Sequence, residues 1–136
     1  MKILILGARG NLGTQLRRAF SREEFEVIAW DREDADVLDG SLLSSKIREA
    51  APELIINTVA YNAVDDCERP EGNALSWRLN AEFPGILADI ALENQAVLIH
   101  YSTDYVFNGT ESKKEFSETD TPNPLNKYGE SKFAGE

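Results

Sequence analysis

The sequence is poor in cysteine and in basic side chains. Its single cysteine, Cys67, cannot form an intrachain disulfide. Only 14 Lys and Arg side chains stand against 24 Asp and Glu, which gives a formal net charge of −10, and the basic residues form no stripe. This balance argues against nucleic acid or an anionic membrane as a partner.

Long apolar runs are also missing from the sequence. No run is long enough to span a bilayer, and no signal peptide precedes the first apolar segment. Together with the lone cysteine, these absences predict a cytoplasmic protein. The 136 residues are one domain's worth of chain, 1–136, for which we predict no metal site.

The first stretch joins an apolar run to three glycines. Ile3–Leu6 shows no polar alternation, as expected of a strand covered on both faces, and Gly7, Gly10 and Gly13 follow it at three-residue spacing. Apolar residues then recur at helical spacing over Leu12–Phe20. Glycine lets the backbone approach a ligand closely, and a helix N-terminus presents unpaired N–H groups to a pyrophosphate. This order predicts a dinucleotide site; a tight turn without a ligand is the alternative. The residues assigned to the cofactor here are Gly7, Arg9, Gly10, Asn11, Leu12 and Gly13.

A second predicted strand, Phe25–Trp30, ends at an acidic residue. Asp31 comes 18 residues after Gly13, where a carboxylate can accept a hydrogen bond from the adenosine ribose. Arg32 beside it, or Arg9 in the loop, could instead bind a 2′-phosphate. The sequence therefore leaves both NAD(H) and NADP(H) open, and an exposed turn pair at Asp31 and Arg32 is the alternative without a ligand.

Strand-like and helix-like segments alternate along the rest of the chain. Residues 34–39 could add an edge strand, from which Asp36 and Val37 could contact the adenine. The other predicted elements are a helix from Leu42 to Ala50 with Asp39 or Ser41 as its N-cap, a strand at Leu54–Thr58, a helix from Glu71 to Asn94 bent at Pro84, a strand at Ala96–Tyr101 and a loop at 108–126. The alternation predicts an α/β fold: a Rossmann-like, doubly wound parallel sheet with helices on both faces.

Hydroxyl side chains and a lysine are the candidates for catalysis. Tyr128 and Lys132 are four residues apart, so a helix would place them on one face. A nearby ammonium can lower the pKa of a phenol from about 10 toward 7, which requires roughly 4 kcal/mol. Such a tyrosine can exchange a proton at neutral pH. Ser102 and Thr103 follow a predicted strand, at the edge of the sheet where α/β folds bind ligands, and a hydroxyl there can bind a substrate carbonyl.

Taken together, these motifs resemble the extended short-chain dehydrogenase/reductase superfamily. They are Gly7-x-x-Gly10-x-x-Gly13, Asn57, Ser102–Thr103 and Tyr128-x-x-x-Lys132. The stretches 57–68, 100–109 and 124–136 are similar, more specifically, to the dTDP-4-dehydrorhamnose reductase family, and the resemblance covers residues 1–136. It implies a reductase of a nucleotide-linked 4-keto sugar in dTDP-rhamnose biosynthesis that uses NADPH or NADH, with this chain as its cofactor-binding half.

The resemblance also implies roles for single residues. Tyr128 would protonate the C4 keto oxygen while the nicotinamide delivers hydride to C4. Lys132 would hold the nicotinamide ribose and tune Tyr128, and Thr103 would polarise the carbonyl. The nicotinamide half would be lined by Asn57, Ala60, Tyr61, Tyr128 and Lys132. Asn80 would brace the strand ends, and Val64, Asp65 and Glu68 would lie near the site or act as structural caps.

Two features depart from the family pattern. Thr58 and Val59 stand where the family has small alanines, and their branched side chains would crowd the cofactor. The sequence also stops at Glu136, before the part of the family that supplies most of the sugar pocket. We therefore expect an incomplete sheet on the C-terminal side, an open last strand that a second copy could cover, and an isolated chain without activity.

Two other functions remain open at this point. One is a regulatory subunit that binds a dinucleotide without catalysis. The other is a nucleotide-sugar epimerase or dehydratase on the same fold. A reductase consumes the reduced dinucleotide, whereas a regulatory subunit only binds it. Analysis of the product distinguishes a reductase from an epimerase or a dehydratase.

Overall fold

The computed structural model of the chain describes residues 1–21, 24–109 and 115–136. They form two compact units, Met1–Val59 with Phe83–Tyr101 and Ala60–Glu82 with Ser102–Glu136. In chain order the elements are β1 (Lys2–Leu6), α1 (Asn11–Phe20), β2 (Glu26–Trp30), α2 (Gly40–Ala50), β3 (Leu54–Asn57), a 3-10 turn (Asp66–Glu68), α3 (Pro70–Trp77), a π-helical segment (Arg78–Glu82), α4 (Phe83–Glu93), β4 (Val97–His100), a second 3-10 turn (Asp104–Val106) and α5 (Lys127–Ala134).

The sheet of the first unit is parallel, with strand order β2-β1-β3-β4. Successive side chains of a strand point to opposite faces, so Ile3 and Ile5 of β1 pack on the side of α1, whereas Leu4 and Leu6 pack with α2 and α4. All four are at most 1% exposed, and complete burial of such a side chain contributes about 1.5–3 kcal/mol. The predicted α/β fold with helices on both faces is confirmed.

The four strands lie within one residue of their predicted ends. Continuous apolar runs mark strands of this kind because both faces of a parallel sheet are covered. The sequence left two candidates, Asp39 and Ser41, for the N-cap of α2. In the structure the N-cap is Asp39, whose carboxylate accepts a hydrogen bond from the N–H of Leu42 at 3.0 Å. An aspartate in this position satisfies one of the unpaired N–H groups of the first turn.

One predicted element is absent, and another is divided into three parts. Residues 34–39 form turns rather than an edge strand, because aspartate side chains bind neighbouring backbone: Asp34 accepts from the N–H of Asp31 and Asp36 from that of Leu38. The long helix predicted over Glu71–Asn94 is divided into α3, the π-helical segment Arg78–Glu82 and α4, in which Pro84 is the second residue. Proline has no N–H to continue the helical ladder, and a widened turn is one way in which a helix accommodates it.

The described sheet has β2 at one edge and β4 at the other. Exposed and half-buried side chains alternate along β4, and Val97 and Ile99 are 63% and 40% exposed. An open apolar edge is therefore present within the described residues, as predicted. Of the predicted loop at 108–126, residues 115–126 contain no helix or strand before α5, and residues 110–114 lie outside the described residues. All described helices are too short or too polar to traverse a lipid bilayer.

In the second unit, α5 packs against α3, the π-helical segment and both 3-10 turns. Asn126 caps the helix, because its side-chain oxygen accepts a hydrogen bond from the N–H of Gly129 at 2.7 Å. Gly129 permits a close approach: a Cβ at this position would lie 2.4 Å from the carbonyl oxygen of Tyr105. The segment Lys127–Ala134, in which Tyr128 and Lys132 were expected to share a face, is thus helical and closely packed.

In the first unit, α1 approaches the loop that precedes it just as closely. A Cβ at Gly13 would lie 2.3 Å from the carbonyl oxygen of Gly7 and 2.8 Å from the Cα of Ala8. Both neighbours are backbone atoms, which cannot move without displacing the loop. Glycine is therefore required at residue 13 for the helix to begin where it does.

We predict that Gly13→Ala destabilises the protein, by on the order of 1–3 kcal/mol, because the added methyl group overpacks this contact. Gly85→Ala is the matched control: it lies in α4, where a Cβ would meet no atom within 4 Å. That variant should be neutral or stabilised by up to about 1 kcal/mol, as for glycine to alanine in a helix. Urea denaturation followed by circular dichroism measures both, and equal effects would contradict the close packing of α1.

Candidate active site

The loop after β1 has the form of an anion-binding turn. Gly7 has a φ of +75°, and a Cβ there would lie 2.8 Å from Oγ1 of Thr58, so only glycine fits. Gly10 precedes the first turn of α1 with no side-chain cap. The first N–H groups of α1, from Asn11 to Gly13, thus have no capping side chain, and such groups bind phosphates. The neighbours of β1 are β2 and β3, so the loop also lies at the point where the strand order reverses, the usual dinucleotide position.

Asp31, at the end of β2, is bound to this loop. Its carboxylate accepts hydrogen bonds from the N–H of Arg9 at 2.8 Å and of Arg32 at 2.9 Å. These two bonds outweigh partial burial and lower the pKa of Asp31, which is therefore ionised at neutral pH. Carboxylate oxygens keep lone pairs beyond these bonds, so Asp31 can still accept from a ribose hydroxyl. The side chain of Arg9 forms an ion pair with Glu33.

The residues assigned to the adenine have contacts of their own. The carboxylate of Asp36 is exposed and accepts a hydrogen bond from the N–H of Leu38 at 3.0 Å, closing a local turn. Val37 packs against the hydrophobic core on the side of α2 and α4. Asp36 is thus exposed to solvent, whereas Val37 contributes to the core.

Asn57, at the end of β3, is buried, and its side-chain amide contacts the end of β4. Its side-chain nitrogen lies 3.0 Å from Nδ1 of His100, its partner in the strand register, and its oxygen accepts from the N–H of Val59. Asn57 therefore braces two strand ends. Sequence reasoning missed the role of His100, although a polar residue at the end of each of two neighbouring apolar strands was a signal for it.

The branched residues expected to crowd the cofactor make contacts within the protein. The hydroxyl of Thr58 donates to the carbonyl oxygen of Leu6 at 2.7 Å and lies 3.1 Å from that of Gly7. Val59 packs against the hydrophobic core. Thr58 thus holds the carbonyl groups of the glycine loop, a role that the sequence analysis missed because it depends on residues more than 50 positions away.

In the second unit, Thr103 and Tyr128 are brought together. The Thr103 side chain interacts with the phenol of Tyr128, and the ring of Tyr105 meets that of Tyr128 edge to face at 5.7 Å. Burial raises the pKa of Tyr128, and the nearby hydroxyl of Thr103 only partly opposes this. The predicted lowering of this pKa is therefore wrong for the chain by itself, because desolvation penalises the phenolate more than its neighbours stabilise it.

Lys132 follows Tyr128 by one turn of α5 and is 2% exposed. Burial lowers the pKa of its ammonium, and the carboxylate of Glu136 opposes the shift. A buried ammonium is uncommon in a folded protein, and pKa values perturbed in this way are typical of functional sites.

A buried hydrogen-bond network supports this helix from within the second unit. Asn80 accepts from the N–H of Tyr61 at 2.8 Å and donates to its carbonyl at 2.9 Å. The same amide donates to the hydroxyl of Ser131 at 3.0 Å, which in turn donates to the carbonyl of Tyr128 at 2.8 Å. Asn80 and Ser131 are fully buried. Asn80 thus connects the segment after β3 to α5, and Ser131 was missed by sequence reasoning.

The other residues named near the site act locally. The phenol of Tyr61 donates to Asp66, which raises the pKa of Tyr61. Glu68 accepts from the N–H of Lys127 at 2.8 Å, so it caps the start of α5, in agreement with the structural alternative. Ala60 is half-buried beside Tyr61 in the sequence.

Comparison with known proteins gives one consistent family. The family model described as RmlD substrate binding domain matches residues 1–136. The dTDP-4-dehydrorhamnose reductase of Burkholderia thailandensis is 38% identical over 136 residues, which are 100% of this chain and 44% of that protein. A dTDP-4-dehydrorhamnose reductase from Aggregatibacter actinomycetemcomitans is also 38% identical, over 99% of this chain and 45% of its own length.

Solved structures agree with this result. A dTDP-4-dehydrorhamnose reductase from Clostridium acetobutylicum matches with a TM-score of 0.93 and 38% identity over 99% of this chain and 47% of its own. One from Bacillus anthracis, in complex with NADP, matches with a TM-score of 0.92 and 34% identity over 98% of this chain and 47% of its own. The chain spans about half the length of the relatives it matches. It belongs to the dTDP-4-dehydrorhamnose reductase family, the family indicated by its motifs.

Proposed function

We propose that this chain is the cofactor-binding half of a reductase that acts on a nucleotide-linked 4-keto sugar, using NADH or NADPH. The observation that carries the proposal is the pair of neighbouring hydroxyl side chains Thr103 and Tyr128, with the buried ammonium of Lys132 one turn further along α5. A hydroxyl pair of this kind can bind a carbonyl oxygen and transfer a proton to it.

The glycine loop of the first unit fits a dinucleotide. A Cβ at Gly7 or Gly13 would collide with Thr58 or with the carbonyl oxygen of Gly7, so these glycines permit the tight turn, and the first turn of α1 has no capping side chain. The N–H groups of Asn11 to Gly13 would bind the pyrophosphate, and Asp31 would accept from the adenosine ribose. When bound, the reduced cofactor supplies the hydride that the sugar carbonyl receives.

The proton would come from Tyr128. Because burial raises its pKa, this phenol is protonated at neutral pH, as a proton donor must be before a ketone is reduced. Thr103 would donate to or orient the same carbonyl oxygen. After transfer, the ammonium of Lys132 would stabilise the phenolate, since a charge in a partly dry site acts more strongly than in water.

The sugar and the partners of the whole protein belong to this proposal as well. The name of the first relatives specifies dTDP-4-dehydrorhamnose, which we take as the substrate to test first. We also propose that the apolar edge of β4 is covered in the functional protein, with a second copy of the chain as one candidate.

Tyr128→Phe should abolish most turnover, by about 10²-fold or more, while the affinity for the dinucleotide changes little. The measurement is NADPH or NADH consumption with the keto-sugar nucleotide, in a full-length protein that carries this chain and the additional length of its relatives. Tyr105→Phe is the matched control, because it removes a hydroxyl from the neighbouring ring and should retain turnover within about two-fold.

Unchanged turnover in Tyr128→Phe would contradict the proposed proton donor. Dinucleotide binding without any consumption in the parent protein would favour a regulatory subunit, and a product that is epimerised or dehydrated would favour the other alternative.

Ser131→Ala should lower both stability and turnover. It removes the acceptor for the buried amide of Asn80, which costs about 1–3 kcal/mol, and releases the carbonyl of Tyr128. We expect kcat to fall by about ten-fold, because small displacements of a catalytic group are costly. Ser76→Ala, which also removes a buried serine hydroxyl that donates within its own helix, should reduce stability but leave kcat unchanged. Equal kcat values for the two variants, measured well below their melting temperatures, would refute this role of Ser131.

A further inference from the structure

Arg9 is the cation of the glycine loop, and an acidic side chain holds it. Its guanidinium forms an ion pair with Glu33, in the turn that follows β2. Its backbone N–H donates to Asp31 at 2.8 Å, so main chain and side chain of Arg9 contact the same turn. Glu33, Asp34 and Asp31 all raise the pKa of Arg9, with Glu33 making the largest contribution.

The turn itself is closed by hydrogen bonds that fix these carboxylates. Asp34 accepts from the N–H of Asp31 at 2.9 Å, and the N–H groups of Asp34 and Ala35 donate to the carbonyl of Asp31 at 2.9 and 3.0 Å. Two further cations belong to this turn. Arg32 lies within it, and its N–H donates to Asp31 at 2.9 Å. The ammonium of Lys46 donates to the carbonyl of Asp34 and lies 5.4 Å from the ring centre of Trp30. Three carboxylates are thus held close to Arg9, at the end of the strand that would meet the adenosine ribose.

The two forms of the cofactor differ at this ribose. The diol of NADH is neutral and can donate to Asp31, whereas NADPH carries there a phosphate with a charge of about −2, by analogy with other phosphate monoesters. To bind Arg9, that phosphate must displace Glu33 and remain close to Asp31 and Asp34. A single exposed ion pair is weak, but the like charges that remain oppose the phosphate.

We propose that Glu33 is the residue that determines cofactor choice in this chain: by occupying Arg9 it selects NADH over NADPH. The inference rests on the proposed function, because it assumes that the glycine loop binds a dinucleotide. The relative from Bacillus anthracis was solved with NADP, so the fold itself accommodates a 2′-phosphate. The selection would therefore come from the side chains of this turn.

Calorimetric titration of the protein with NADH and with NADPH tests the proposal. The parent protein should bind NADH more tightly, by about ten-fold, and the preference should decrease as salt screens the carboxylates. Glu33→Gln frees Arg9 and should reduce the preference by about five-fold or more, mainly through tighter binding of NADPH. Glu93→Gln, on the exposed surface of α4, removes the same charge elsewhere and should leave the ratio unchanged.

A double variant isolates the pair. If Glu33 acts through Arg9, adding Arg9→Gln to Glu33→Gln should cancel the gain for NADPH. Binding of both cofactors with the same ratio in the parent protein and in Glu33→Gln would overturn the role of Glu33 alone. A parent protein that prefers NADPH would overturn it as well. Binding of neither cofactor to any variant with a native circular dichroism spectrum would overturn the proposed function itself.

Discussion

The carbonyl group of Gly7 is the point on which the cofactor loop depends. It accepts the N–H of Gly10 at 3.0 Å, lies 3.1 Å from the hydroxyl of Thr58, and occupies the space that a side chain at Gly13 would need. These contacts hold the carbonyl dipole within the protein and allow α1 to start directly against the loop. A loop held in this way presents N–H groups to an anion at no further conformational cost.

The second unit relies on buried hydrogen bonds instead of glycine. Asn80 connects Tyr61 to Ser131, and Glu68 caps the first turn of α5 from a separate segment. Every buried side-chain nitrogen and oxygen among the described residues has a partner, which is the condition under which a polar network stabilises a single arrangement. A helix held at its start and at its middle can keep Tyr128 beside Thr103 while Lys132 remains buried.

The strands and the glycine loop could be predicted because their signals are local. Each strand is marked by an apolar run, and the loop by glycines at a fixed spacing. The interactions between Asn57 and His100 and between Asn80 and Ser131 were not, since they join residues 43 and 51 positions apart. The turn at residues 34–39 was mistaken for a strand because the hydrogen bonds of its aspartates compete with strand pairing. The shift in the pKa of Tyr128 was predicted in the wrong direction. The four-residue spacing identifies Lys132 as a neighbour of Tyr128, but it does not show that the phenol is partly buried.

The most direct test of the account is to map where a reduced dinucleotide binds. In a titration of isotope-labelled protein with NADH, followed by backbone amide chemical shifts, we expect the largest and saturable changes at the N–H groups of residues 9–13 and of Arg32, which are the loop, the start of α1 and the end of β2. Saturable changes confined to other surfaces, such as the groove lined by Arg17, Arg18 and Val27, would contradict the claim that the glycine loop binds the pyrophosphate.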